Sequence, residues 1–263
     1  MKKDNLKSSL RGGVSGKAKA ISGLGLLRRS EVLLAMTILL VGTLFFSKPV
    51  FASTITGKVN FEGEAPLPKP INFGAERQCA LAHGGKAPTE EGLVVNPNKT
   101  VKWALVYVKE GVMGQYETPT QPVEIDQTGC LFSPHAVAAM VGQTVNFKNN
   151  DELLHNVRTN SKINKTFNIA QPIKNMTTAK KFDQPEIGIQ LRCDVHFWMS
   201  SYLHILNHPF FAVTGDDGSF TIKDLPAGTY TIELWHEKLG TQTQSITVAD
   251  GETKTVDFTL KQV

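Results

Sequence analysis

Beyond residue 53 the chain lacks any long stretch of helical periodicity, and it lacks a clustered basic face and every common catalytic signature. No Ser-His-Asp order, nucleophile elbow, phosphate loop or convincing carboxylate pair occurs, so no enzymatic activity is expected. The net charge of +4 misleads, because residues 1–52 carry nine Lys or Arg against two acids and leave residues 53–263 at −3. A weakly acidic body gives no electrostatic reason to expect a nucleic-acid partner. What remains is 41% apolar and 20% charged over 263 residues, enough to close a core in one medium domain and a small one.

A full membrane span is also missing. The one long apolar run, Val32–Phe46, is fifteen residues, against about 20 for a spanning helix. It follows a basic segment and precedes Val50-Phe51-Ala52, which places small residues where a signal peptidase reads. Residues 1–52 are expected to be a signal peptide cleaved after Ala52, giving a periplasmic or secreted protein; an uncleaved N-terminal anchor is the alternative, and the only one with a membrane contact. Arg28-Arg29 resembles a twin-arginine signal only loosely, so the export route stays open.

The body reads as short β-rich runs cut by Gly, Pro, Asn and Asp. Strands are expected at Thr54–Phe61, Val101–Val108, Thr144–Lys148, Ile187–Leu191, Tyr202–Leu206 and Phe211–Thr214, with a helical turn near Gly74–His83. The composition shifts near Pro209, where Asp216-Asp217-Gly218 and Leu225-Pro226-Ala227-Gly228 make turns between alternating runs. The string DGSFTIKDLPAGTYTIELWHE resembles the carboxypeptidase regulatory-like, transthyretin-like β-sandwich, a resemblance covering residues 209–263. The expected domains are therefore 53–208 and 209–263.

Three cysteines in an exported chain permit one disulfide and leave one thiol over. Cys193 lies in Leu191-Arg192-Cys193-Asp194-Val195-His196-Phe197-Trp198-Met199, a tight loop between two strand-like runs that puts thiolate, imidazole and thioether together. A His2Cys site needs a second imidazole, and His155, just after the run Gly142–Asn150 and its turn, is the best donor. Cys193, His155, His196 and Met199 make a soft set with one weak axial ligand, which favours one copper ion over zinc, calcium or magnesium. A dinuclear centre is disfavoured because the loop has only one Cys.

Gly142-Gln143-Thr144-Val145 through Asn149, His155-Asn156-Val157 and Cys193-x2-His196-x2-Met199 resemble the blue-copper cupredoxins, with a ligand loop similar to that of amicyanin, over residues 130–206. The resemblance implies a Greek-key β-sandwich, a type 1 copper, one-electron transfer with exported redox partner proteins, and an Asn156 that ties the two ligand loops. It also implies an electron port at the edge of His196, with Phe197 and Trp198 lining a docking face or packing in the core. The expected class is thus all-β, a cupredoxin-like sandwich plus a small transthyretin/Ig-like one. Two other functions use the same residues: copper storage or delivery, and a metal-free structural module. Cys79 and Cys130 suit a disulfide, or a Cys2His2 metal site with His83 and His135. His204, His208 and His236 near the domain junction suit hydrogen-bonded contacts, or less well a second metal site.

Overall fold

The computed structural model describes residues 51–262. The expected leader, residues 1–52, lies outside the described residues except for Phe51 and Ala52. Regular structure among the described residues is β-strand apart from the helix Arg77–Ala82, inside the turn expected at Gly74–His83. The all-β class is the one the chain adopts.

The larger sandwich joins a five-stranded sheet and a four-stranded one. The first runs in the order Asn168–Gln171, His155–Asn160, Glu186–Arg192, Ser200–Leu206, Ala136–Met140; the second runs Thr177–Lys180, Val145–Asn149, Val123–Thr128, Leu131–Ser133. Each sheet contains one parallel pairing, of Ser200–Leu206 with Ala136–Met140 and of Val123–Thr128 with Val145–Asn149. Alternation decides which side chains fill the space between them: Val145 and Phe147 from one sheet meet Val157, Ile189, Leu191, Leu203 and Ile205 from the other. The Lys-, Asn- and Thr-rich stretch 160–183 supplies one of the two outer strands of each sheet, where a polar sequence suits a half-exposed edge.

The second sandwich is not confined to the C-terminal segment. Its central strand, Ser53–Glu62, pairs antiparallel with Ser219–Leu225 and parallel with Thr253–Thr255 and Phe258–Lys261. Its other sheet inserts Leu105–Glu110 between Phe211–Val213 and Gly228–His236, with Gly240–Val248 outside. Ile55, Val59, Phe61, Val106 and Val108 therefore share a core with Phe220, Ile232, Leu234 and Phe258. A boundary at 208/209 does not separate the two cores, because the C-terminal strands alone would leave open strand edges that the front segment closes.

The expected strand Val101–Val108 is broken into Val101–Lys102 and Leu105–Glu110. Trp103 between them sits at φ 66°, a conformation rare for a bulky residue. Its indole Nε1 donates to Glu91 at 3.1 Å and the Lys102 ammonium lies 4.3 Å over its ring, and these contacts hold the break in place.

Gly57 shows how tightly the second core is closed. A Cβ there would lie 1.8 Å from the Val256 carbonyl oxygen, whose own N–H is held by Thr56. Gly57→Ala should therefore lower the unfolding free energy by about 3 kcal/mol, the upper end for overpacking a core. Equilibrium urea denaturation checks this, and a change under about 0.5 kcal/mol, the range of an uncoupled surface substitution, counts against it.

Candidate metal centre

Strand ends and one short loop assemble the site. Cys193 follows the strand Glu186–Arg192, Met199 precedes Ser200–Leu206, and His155 opens His155–Asn160 on the neighbouring strand of the same sheet. The loop closes on itself: Met199 N–H donates to His196 O at 2.9 Å, Cys193 N–H to Met199 O at 3.3 Å, and His196 N–H to the Cys193 sulfur at 3.4 Å. Asn156 joins the two ligand segments, its Oδ1 accepting from Asp194 N–H at 2.7 Å and from the Cys193 thiol at 3.3 Å.

These restraints bring His155, Cys193 and His196 together, with ligand atoms all within 4.8 Å of one another. The two Nδ1 atoms are 2.9 Å apart, and His196 Nδ1 is 3.9 Å from the Cys193 sulfur. All three residues and Met199 are buried, and Met199 lies in the same core as Cys193.

The tautomer of His155 follows from its neighbour. Asp151 accepts Gly129 N–H on one oxygen and Cys130 N–H on the other, each at 2.8 Å, and the second oxygen lies 2.9 Å from His155 Nε2. A carboxylate with those partners only accepts, so His155 Nε2 is the donor and Nδ1 carries a lone pair toward His196 and Cys193. In the metal-free chain His196 must then supply the one proton between the two Nδ1 atoms. A carboxylate behind a ligating imidazole both orients it and raises its basicity. Asp151 escapes a reading of the sequence because only the turn between the strands brings it back to His155, although it stands four residues before it.

Burial pushes the Cys193 thiol up, but its contact with the His155 imidazole and the backbone groups of Asn156, His196 and Val195 outweigh it, and the thiol titrates below its ordinary value. Burial likewise lowers His155, and the bonds to Asp151 and Cys193 reverse this to a net rise. Burial and the charge of His155 both lower His196. The pocket favours a thiolate, as a soft metal requires.

Cys79 and Cys130 form a disulfide. The Cys2His2 alternative fails because both sulfurs are consumed, His83 Nε2 donates to Gly129 O at 2.7 Å and His135 pairs with Glu237. His204, His208 and His236 are held singly: His204 Nδ1 accepts Gly188 N–H, His208 Nε2 donates to Val108 O, and His236 Nδ1 accepts Lys238 N–H. They do not converge on a second site.

The port expected at His196 is closed. His196 is 2% exposed whereas Phe197 is 71% exposed. Trp198 packs 5.2 Å from the His196 ring and 5.3 Å from Phe73, and its Nε1 donates to Cys130 O. The cover comes from the stretch around Ile71, Phe73 and Cys79, whose side chains enter the core that holds Cys193.

Residues 206–261 match the model of the carboxypeptidase regulatory-like domain. No curated protein matches the chain in sequence. Among solved structures, a copper-containing nitrite reductase from Thermus scotoductus SA-01 is similar at 18% identity over 38% of this chain, with TM-score 0.32; the match spans 26% of the reductase, about a quarter of its length. A purple cupredoxin from Nitrosopumilus maritimus is 21% identical over 32% of this chain and 98% of its own, with TM-score 0.28. Amicyanin from Paracoccus versutus is 18% identical over 38% and 96%, with TM-score 0.30. The C-terminal residues 206–261 thus match the carboxypeptidase regulatory-like domain, while the copper reading of the larger sandwich rests on its own His155, Cys193 and His196.

Proposed function

We propose that this chain is an exported copper protein that passes single electrons between exported redox partners. The observation that carries the reading is the buried convergence of one thiol and two imidazole Nδ1 atoms, with Met199 on the same loop. Two imidazoles, a thiolate and a weak thioether fit copper better than a harder cation. Bound copper would supply a one-electron couple. The chain's part is to hold the donors: Asp151 fixes the lone pair of His155, and Asn156 and the His196 N–H restrain the Cys193 sulfur. Such restraint limits rearrangement between oxidation states. The three His, Cys and Asp groupings among the described residues share residues and meet at this one place.

The closed His196 edge favours a second reading, copper storage or delivery, because a covered ligand slows exchange with an electron partner. Electron exchange with a small redox mediator separates the two: turnover faster than metal release supports a carrier, and the reverse supports a store. The primary test is the visible spectrum of the Ser53–Val263 chain with one equivalent of Cu(II). An intense thiolate charge-transfer band should appear and vanish in Cys193→Ser; a band that survives the substitution, or none in the parent, removes the type 1 assignment.

A further inference from the structure

Residues 63–92 form a strap of thirty residues between the strands Ser53–Glu62 and Val94–Val95. Their backbone hydrogen bonds stay inside the strap: Ile71 N–H to Pro88 O, Glu90 N–H to Lys69 O, and the local turns from Phe73 to Lys86. None joins it to either sandwich. Its helix Arg77–Ala82 has no side-chain cap, and Leu81 is exposed. Two side-chain hydrogen bonds, His83 to Gly129 and Trp103 to Glu91, hold it, and the buried Ile71 and Phe73 and the half-buried Ala80 and Ala87 tie it to the larger core, beside one covalent link.

That link is placed at the metal centre. The Cys79 and Cys130 sulfurs and a ring nitrogen of His196 lie within 4.8 Å of one another, and Cys130 N–H binds the carboxylate behind His155. We propose that the Cys79–Cys130 disulfide is a latch that closes the strap over His196, so that the site is open in the dithiol chain and sealed once the disulfide forms. Sealing is a thiol–disulfide exchange with a disulfide-bearing oxidant protein of the exported compartment. The two thiols give up two protons and two electrons, the S–S bond forms, and the oxidant leaves as a dithiol. With the copper reading above, metal loading precedes oxidation; the latch itself does not depend on that reading.

The physical basis is local stability. A segment with few buried contacts and no backbone bonds to its support opens on its own, unless a crosslink removes the open states. The loop between the two cysteines spans 51 residues, so cutting the crosslink favours opening by up to roughly a thousandfold on the chain-entropy scale.

The test uses the metal-free full-length chain and diethyl pyrocarbonate, with acylation of each imidazole mapped by mass spectrometry. In the parent, His196 and the fully buried His204 should both react slowly. In Cys79→Ala/Cys130→Ala, His196 should react at least about tenfold faster than His204, because global unfolding exposes both alike and strap opening exposes only His196. Phe73→Ala, which keeps the disulfide and removes the ring beside Trp198, should raise the same ratio less. Equal reactivity of the two histidines in both variants overturns the latch. Because no copper is present, that result would leave the spectral test of the metal reading untouched.

Discussion

Cys79→Ala/Cys130→Ala should lower the free energy of unfolding by about 4 kcal/mol, the loop-closure value for a crosslink of this span. The disulfide closes 51 residues and joins the strap to the turn between Val123–Thr128 and Leu131–Ser133. Apart from Ile71, Phe73, Ala80 and Ala87 on the core and two side-chain hydrogen bonds, the crosslink is what fastens the strap, and those contacts do not replace the lost loop closure. Urea denaturation of the oxidised parent and the double variant measures the difference from the midpoints at a common slope. A loss below about 1 kcal/mol would mean that the reduced, unfolded chain keeps the two segments together without the bond. Such a result would also weaken the latch, since both draw on the same open states.

Acidification should destabilise the fold by several kcal/mol between pH 7 and pH 4, and two buried histidines account for much of it. Burial pushes His204 down to about 3 and His236 down to about 4, from an ordinary value of 6.5. A group depressed in the folded state takes up its proton more readily when unfolded. Its stabilising contribution is therefore complete above about pH 6.5 and shrinks as pH falls toward the folded value. At pH 4 the loss amounts to about 3 kcal/mol for each histidine, since each pH step below the ordinary value removes about 1.4 kcal/mol. His204 provides the cleaner test, because its ring is sealed against Trp235 and its Nε2 has no hydrogen-bond partner to compensate a charge. His204→Gln, with an amide oxygen to accept Gly188 N–H, should lose about 3 kcal/mol less than the parent over the same pH range. Equal losses would place the acid sensitivity elsewhere.

Strands with strong apolar patterning are legible in the sequence to within one or two residues, as at Ser53–Glu62, Glu186–Arg192 and Ser200–Leu206, and where one face alternates buried, as in Ser53–Glu62, it leaves one register. The break at Trp103 is not, since it depends on Glu91 and Lys102 holding a residue that by itself favours a continuous strand. The polar strands Asn168–Gln171 and Thr177–Lys180 escape a reading of the sequence because edge strands carry little hydrophobic pattern.

That Cys193, His196 and Met199 stand close in the chain is legible for a chemical reason: one short loop, closed by its own hydrogen bonds, carries all three. His155 can be chosen only as the histidine after a strand, and the pairing of His155–Asn160 beside Glu186–Arg192 supplies the contact. Short-range order in the chain thus determines the candidate donor types, the loop that carries three of them and the alternation that builds two β-cores. Tertiary structure alone decides that front-segment strands complete the C-terminal sandwich, that Asp151 stands behind His155, and that a crosslinked strap closes over His196. Each of these joins residues far apart in sequence or across a turn, where spacing carries no information and only the packing of one surface on another selects the partner.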